Sequence, residues 1–490
     1  MNVCLVRPHF LVYKKSKWGV EISYPLGLAY IASYLESRGT RVEIIDSMGL
    51  GWHKMVSEGS FIRVGLSDDE LLAKLRGARP DIVGITCMFP PQANSMNTVA
   101  NVVKSIDRDI PVIVGGAHPS SQPSECLENE NIDVVVVGEG EVTMAELVEH
   151  YSGNKSIDEV KGIYFRKLGE VRYTKRRKLI HDLDALPYPA YHLLPMEEYF
   201  AAGRQGFSER GIPIDRWVSM ITSRGCPFQC CFCSVHNIYG PSWRARSPEK
   251  VIEEIEFLID KYRIKHIFFE DDNLTLDTRR AEKIFDLMIE RKLDLTWETP
   301  NGVRADTLSR PLLRKMKKSG CTMLIIGVEN GNQQFLNKVI KKRLDLKKVE
   351  ENARIISEEG IPCIAFFIIG IVGENKRIVN DTIKFARRLA RMGVVPRFGI
   401  ATPHPKTELY DVAKQKGYLL KERMEPQDWA VNLPIIRTED FTPNDLIWWK
   451  RKAVFLTTLE LMLHNQRMLM KSLTHFVKRP KDITKLIKRI

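Results

Sequence analysis

The chain has 490 residues, more than one ordinary hydrophobic core accommodates, so two or three domains are expected. With 44% hydrophobic and 28% charged residues it is neither disordered nor fibrous, and its longest apolar stretches, such as Cys363–Gly373, fall well short of the roughly 20 residues that cross a bilayer. The N-terminus lacks the basic segment, apolar run and small-residue cleavage site of a secretory signal, so the expected location is the cytoplasm, where clustered thiols read as a metal site rather than disulfides.

The first 150 residues alternate strand-like and helix-like segments. NVCLVRP is a short buried strand, and YPLGLAYIASYLESRG has helical apolar spacing ending on Gly39. RVEIID, DIVGITC, PVIVGG and IDVVVVG read as further strands; helices are expected around DELLAKLRGA, from about Asn94 to Ile106 and through VTMAELVEHY. Strands apolar on both faces and separated by helices predict a parallel, doubly wound sheet. Ligands bind such sheets at the carboxyl ends of the strands, which makes RPHF, TCMFPP, GGAHPS and GEGE the expected rim.

From 151 to 216 the periodicity loosens, and proline-punctuated HDLDALPYPAYHLLP reads as an extended connector. A second alternating series covers 217–420. Its strands are WVSMITS, HIFFED, LTWETPN, CTMLIIGVE, CIAFFIIGI and VPRFGIATP, with helices of ten or more residues between them. Six strand-helix units fall short of the eight of a closed barrel, so a partial barrel is predicted. The last segment, 421–490, is basic. From Phe441 to Ile490 there are 11 Lys or Arg against 3 Asp or Glu, about +8 of a formal net charge of +13. With Trp448, Trp449 and the apolar AVFLTTLELMLH, this end suits either a peripheral contact with an anionic membrane or a helical region packed on the body with a solvated basic face.

Four of the nine cysteines lie in SRGCPFQCCFCS, directly after the first strand of the second series. Cys226, Cys230 and Cys233 have the spacing C-x3-C-x2-C. Three thiolates on one short loop hold three irons of a 4Fe-4S cluster and leave the fourth iron open. Structural zinc competes, but it usually takes four ligands from two knuckles, and no second C-x2-C follows.

RGCPFQCCFCS resembles the signature of radical S-adenosylmethionine enzymes, C-x3-C-x-Φ-C, with Phe232 as the aromatic. The resemblance implies that Cys226, Cys230 and Cys233 ligate the cluster and are the catalytic residues. It further implies that S-adenosylmethionine binds the open iron through its amino and carboxylate groups, and that Phe232 lies near adenine. Cys231 has no place in the pattern. Further along, FFEDDNLT offers Glu270, Asp271 and Asp272 to the methionyl ammonium, NGVRAD offers Arg304 to a carboxylate, IGVENG offers Glu329 to the ribose, and Ile369 with Gly370 offers backbone to adenine. The family's Pro-Gly-Thr after the sixth strand appears here as Pro405-Lys406-Thr407, which leaves that turn in question.

The first domain resembles the cobalamin-binding module that precedes the barrel in one class of these enzymes, through YPLGLAYIASYLESRGTRVEIIDS, DIVGITC, VIVGGAHPS and VVVVGEGE. Thr86, Gly115, Gly116 and Glu139 are the candidate cofactor contacts; Gly138 is a further small residue that lets backbone approach a flat ring. His9, His53, His118 and His150 never fall in Asp-x-His-x-x-Gly, so His9 and His118 are expected to touch cofactor side chains rather than cobalt. The fold class is thus α/β: a Rossmann-like doubly wound domain, a connector, a partial (β/α)6 TIM-like barrel and a helical C-terminal region. The resemblance implies a methylase acting on an unactivated carbon of a small-molecule or lipid-like substrate, with 4Fe-4S cluster, S-adenosylmethionine and cobalamin, and an external electron donor such as flavodoxin or ferredoxin. Oxidative cyclisation with the same cofactors, a cobalamin-free variant and a closed-cluster electron carrier are the competing readings. No nucleic-acid partner is expected.

Overall fold

The computed structural model describes residues 1–14, 20–209, 211–422, 424–429 and 432–464. Compactness divides the chain into two units: residues 1–227 with 234–268 and 424–430, and residues 228–233 with 269–423 and 431–490.

In the first unit, β1 (Asn2–Arg7), β2 (Arg41–Asp46), β3 (Ile82–Thr86), β4 (Val112–Gly115) and β5 (Val134–Val136) run parallel. Two more strands, β6 (Ile163–Lys167) and β7 (Glu170–Tyr173), add antiparallel to give the order β7-β6-β5-β4-β3-β1-β2. Alternate residues of β1 serve two cores. Cys4 and Val6 join Val83, Ile85 and Val114 under α2 (Asp68–Ala78) and α3 (Ala93–Ile106), whereas Val3 and Leu5 join Ile82 and Ile113 under α1 (Leu26–Glu36) and α4 (Glu141–Tyr151). Each such side chain contributes about 1.5–3 kcal/mol when fully buried, which is why strands covered on both faces read as unbroken apolar runs.

The stretch expected to be a bare connector is more structured. Ile163 and Phe165 are buried while Tyr164 and Arg166 are half-exposed, a period of two that places β6 on the sheet edge. Leu168 and Gly169 both have positive φ, +52° and +80°, as a two-residue hairpin requires. A helix at Met196–Arg204 then lies against β8 (Trp217–Met220), where the Trp217 indole N–H donates to Tyr199 O at 3.1 Å. A small antiparallel sheet of Phe10–Tyr13, Phe61–Val64 and Met55–Glu58 was also unexpected, in what reads as polar connection.

The second series continues with β9 (His266–Phe269), β10 (Thr296–Glu298), β11 (Cys321–Glu329), β12 (Cys363–Ile369) and β13 (Val395–Ile400). Its helices are α5 (Pro248–Tyr262), α6 (Thr278–Glu290), α7 (Arg310–Lys318), α8 (Leu346–Glu358) and α9 (Lys376–Arg391). Compactness groups β8, α5 and most of β9 with the first unit. In the second unit β10 to β13 pair in chain order, all parallel. The loops into α6, α7, α8 and α9 end on Asp277, Ser309, Asp345 and Asn375, whose side chains cap the helix N–H groups and fix where each helix starts. The last described helix, α10 (Pro443–His464), packs on α9 and β13, and Glu460 holds Arg387 and Arg391. The rest of the predicted basic end, 465–490, lies outside the described residues. Among those described, no helix is long and apolar enough to cross a membrane.

Candidate active site

On the first sheet the rim forms where β3 and β4 end in register, Thr86 opposite Gly115. Cys87 N–H donates to Gly115 O at 2.8 Å and His118 N–H to Cys87 O at 3.2 Å. Gly116 has φ +113°, and a Cβ there would lie 2.5 Å from Cys87 O, so only glycine fits. The result is a strip of bare backbone at a strand end, suited to a broad flat ligand. Gly138 extends it, its N–H held by Ser120 Oγ at 3.0 Å. Gly116→Ala should cost about 1–3 kcal/mol in backbone strain alone and displace this strip. On the expectation that cobalamin sits on this strip, the amount retained through purification should fall, whereas Gly39→Ala, with φ +77° but nothing within 4 Å, should retain it.

His9 and His118 are both buried, and burial lowers both imidazoles, that of His118 to about 4, so both are neutral. His118 Nδ1 is buried without a hydrogen-bond partner among the described residues.

Glu139 does not stand free on its loop. Its carboxylate accepts from Arg224 Nη1 at 2.8 Å, from Arg244 Nη1 at 3.0 Å and from Ile180 N–H at 2.9 Å. Neighbouring Glu141 takes Arg224 Nη2 at 2.7 Å. All four charged side chains are almost completely buried. Arg224 and Arg244 face each other across the short antiparallel pair Ser223–Arg224 and Arg244–Ala245, and the chain runs from Arg224 through Gly225 into the cysteine loop. The GEGE loop thereby grips the stem of that loop. Two further donors of Arg244, Nε and Nη2, are buried without a partner among the described residues.

Of the nine cysteines, Cys226, Cys230 and Cys233 are part-exposed and the other six are buried. The accessible thiols are those of the C-x3-C-x2-C spacing, which is the donor set an iron-sulfur cluster needs. Among the described residues they share a loop without forming a closed cage of three or more ligands. The His236 ring meets Cys226 O at 2.9 Å, and Cys233 N–H donates to Cys230 O at 3.0 Å. Cys231 is buried within the second unit. Its N–H donates to Ile340 O at 3.0 Å, its carbonyl accepts from Leu409 N–H at 2.9 Å, and burial pushes its thiol up to about 12. Phe232 is half-exposed.

Arg304 is wholly engaged. It forks onto Asp306, donates to the carbonyls of Lys342 and Arg343 at 2.9 Å each, and stacks 3.7 Å from the ring centre of Phe228. It therefore braces Phe228 of the cysteine loop rather than projecting a free guanidinium. Glu270 accepts from Asn301 Nδ2 at 2.9 Å through both its carboxylate and its carbonyl, Asp271 is buried, and Asp272 is half-exposed.

Glu329, at the end of β11, has φ +68°, a strained value for a side-chain-bearing residue, and pairs with Lys342 Nζ at 2.8 Å. Gly327 makes room: a Cβ there would lie 2.8 Å from Glu329 Oε1. Burial opposes the charge on Lys342, yet Glu329 and Cys230 hold its amine above the ordinary range. Ile369 is fully buried at the end of β12. Buried Glu374 ties the two strand ends together, accepting from Asn330 Nδ2 at 2.9 Å and Gly370 N–H at 2.6 Å, and burial pushes its carboxyl up to about 7. At the altered Pro-Lys-Thr turn, Lys406 has φ +59°, so the glycine-like conformation persists, and Thr407 caps the following helix. Arg224, Arg244, Lys342 and Glu374 were not singled out from sequence. Lys342 lies in the basic run Lys341-Lys342-Arg343, where nothing local marks the buried member.

A glycine-rimmed doubly wound domain, followed by six strand-helix units headed by three accessible thiols, defines a two-domain α/β enzyme with a cluster-binding loop. Residues 20–148 match the B12 binding domain and residues 220–386 the radical SAM superfamily. Cytidylyl-2-hydroxyethylphosphonate methyltransferase of Streptomyces wedmorensis is 30% identical, across 84% of this chain and 82% of its own. An uncharacterized methyltransferase of Pyrococcus horikoshii is 33% identical across 88% and 86%. In fold, the chain is similar to the radical S-adenosylmethionine methyltransferase TsrM of Kitasatospora setae, solved with cobalamin and a [4Fe-4S] cluster, with a TM-score of 0.67 at 18% identity over 86% and 79%. The chain belongs to the cobalamin-dependent radical S-adenosylmethionine methyltransferase family, whose cofactors are cobalamin, a 4Fe-4S cluster and S-adenosylmethionine.

Proposed function

We propose that this protein methylates an unactivated carbon of a small-molecule or lipid-like substrate. The observation that carries the reading is the match to methyltransferases through both domains, at 30% and 33% identity over more than four-fifths of the chain. When bound, the cluster supplies the electron that splits S-adenosylmethionine, and cobalamin supplies a methyl-carrying metal.

Cys226, Cys230 and Cys233 hold the cluster, and Phe232 flanks the adenine. Glu270, Asp271 and Asp272 receive the methionyl ammonium, which on leaving water needs carboxylate or carbonyl acceptors. Glu329, oriented by Lys342, meets the ribose, and backbone at Ile369, fixed through Glu374, meets the adenine. Arg304 acts through Phe228, holding the cysteine loop in place. The bare backbone of Thr86, Gly115 and Gly116 receives the corrin, with Glu139 setting the height of its loop. Each turnover uses two S-adenosylmethionine molecules and two electrons from an external donor such as flavodoxin or ferredoxin. One leaves as S-adenosylhomocysteine, the other as methionine and 5′-deoxyadenosine carrying the substrate hydrogen.

Anaerobically reconstituted protein, given a chemical reductant, a cell extract and S-adenosylmethionine with a deuterated methyl group, should release both S-adenosylhomocysteine and 5′-deoxyadenosine and yield a product carrying the labelled methyl. Formation of 5′-deoxyadenosine alone, with product lacking the added CH2, would replace methylation by a cyclisation or rearrangement.

A further inference from the structure

The C-terminal helix α10 is apolar on two sides, and only one of them is used. Leu446, Trp449, Ala453 and Leu461 are buried against the second unit. On the opposite side Trp448 is 53% exposed, Phe455 54%, Leu459 44% and Leu463 66%, with Ile447 beside them. Positions 448, 455, 459 and 463 share one face of the helix, with Arg451 and Lys452 between the first two. Large exposed apolar residues in a row mark a surface that another phase or partner covers.

The charge around the stripe selects the occupant. Arg451 is exposed on the same side, and Lys452 Nζ lies 5.2 Å from the Trp448 ring centre. The 26 residues after His464 carry eight Lys or Arg and one Asp, and no Gly or Pro interrupts them before Pro480. A second copy of the chain would set Arg451 and Lys452 against like charges, which disfavours a dimer through this face. An apolar stripe bordered by tryptophan and followed in sequence by dense positive charge matches an anionic lipid surface instead, which attracts Lys and Arg side chains near it.

We propose that α10 seats the protein on an anionic membrane surface through Trp448, Phe455, Leu459 and Leu463. This inference rests on the helix alone and holds whatever the reaction. The full chain with its cofactors should co-sediment with phosphatidylcholine vesicles containing phosphatidylglycerol, more weakly with phosphatidylcholine alone, and less as salt rises. The double variant Phe455→Ser with Leu459→Ser should weaken binding at least about tenfold, with melting temperature and bound cobalamin unchanged because both side chains face outward. Absent binding by the unaltered chain, or binding that the double variant leaves intact, overturns the proposal. So does a dimer in light scattering that the double variant dissociates without any vesicle binding, which would assign the face to a second copy.

Discussion

Replacing Cys230 by alanine is expected to abolish the 4Fe-4S cluster. After anaerobic reconstitution the variant should lose the cluster's visible absorption, bind far less iron and sulfide, and make 5′-deoxyadenosine only at background level. Replacing Cys231, its immediate neighbour, should leave iron content and absorption at wild-type level. The contrast follows from where the two thiols stand: Cys230 is part-exposed on the loop, whereas Cys231 is buried and pinned through its backbone to Ile340 and Leu409. Loss of iron in the Cys231 variant would mean a fourth thiolate and a closed cluster, hence an electron carrier rather than a site that binds S-adenosylmethionine at iron.

The second large effect is expected at Glu139. Its carboxylate compensates two buried guanidiniums, and among the described residues Arg244 has no other carboxylate within ion-pair distance. Removing one partner of a buried pair typically costs about 3–5 kcal/mol because the other charge is left without compensation. Glu139→Gln should therefore lower the melting temperature by roughly 6–20 °C. Removing both charges of the neighbouring pair, Arg224→Met with Glu141→Met, should cost less than Arg224→Met alone, since the Glu139–Arg244 pair survives and Glu141 no longer stands alone. Calorimetry on the three variants measures this directly, and a double variant worse than the single would show that packing rather than charge dominates there.

Much of the scaffold was readable in advance for a physical reason. The strand VVV at 134–136 is covered on both faces, and CIAFFII at 363–369 is mostly buried, so their apolar character is uninterrupted and conspicuous. The cysteine loop was readable because ligand spacing is set by the cluster rather than by packing. The β6–β7 hairpin escaped notice because only Ile163 and Phe165 face inward, and they are followed by a strongly basic run. The ion-pair network escaped for a different reason. Glu139 meets Arg224 and Arg244 across 85 and 105 positions, and no local pattern records a pairing of that span. The same holds for Arg304, whose residue type was noticed but whose partners, Phe228 and the carbonyls at 342 and 343, come from two separate loops distant in sequence.

That span also orders events during synthesis. Glu139 and Glu141 leave the ribosome well before Arg224 and Arg244 exist, so the nascent first sheet must keep two carboxylates hydrated at a place that ends up dry. Closing the rim therefore waits for the start of the second strand-helix series, and folding of the N-terminal half depends on chain made later. A fragment ending at 216, the boundary that periodicity alone suggests, would carry both acids without their counter-ions. Cutting after Ala245 instead keeps the four charges together.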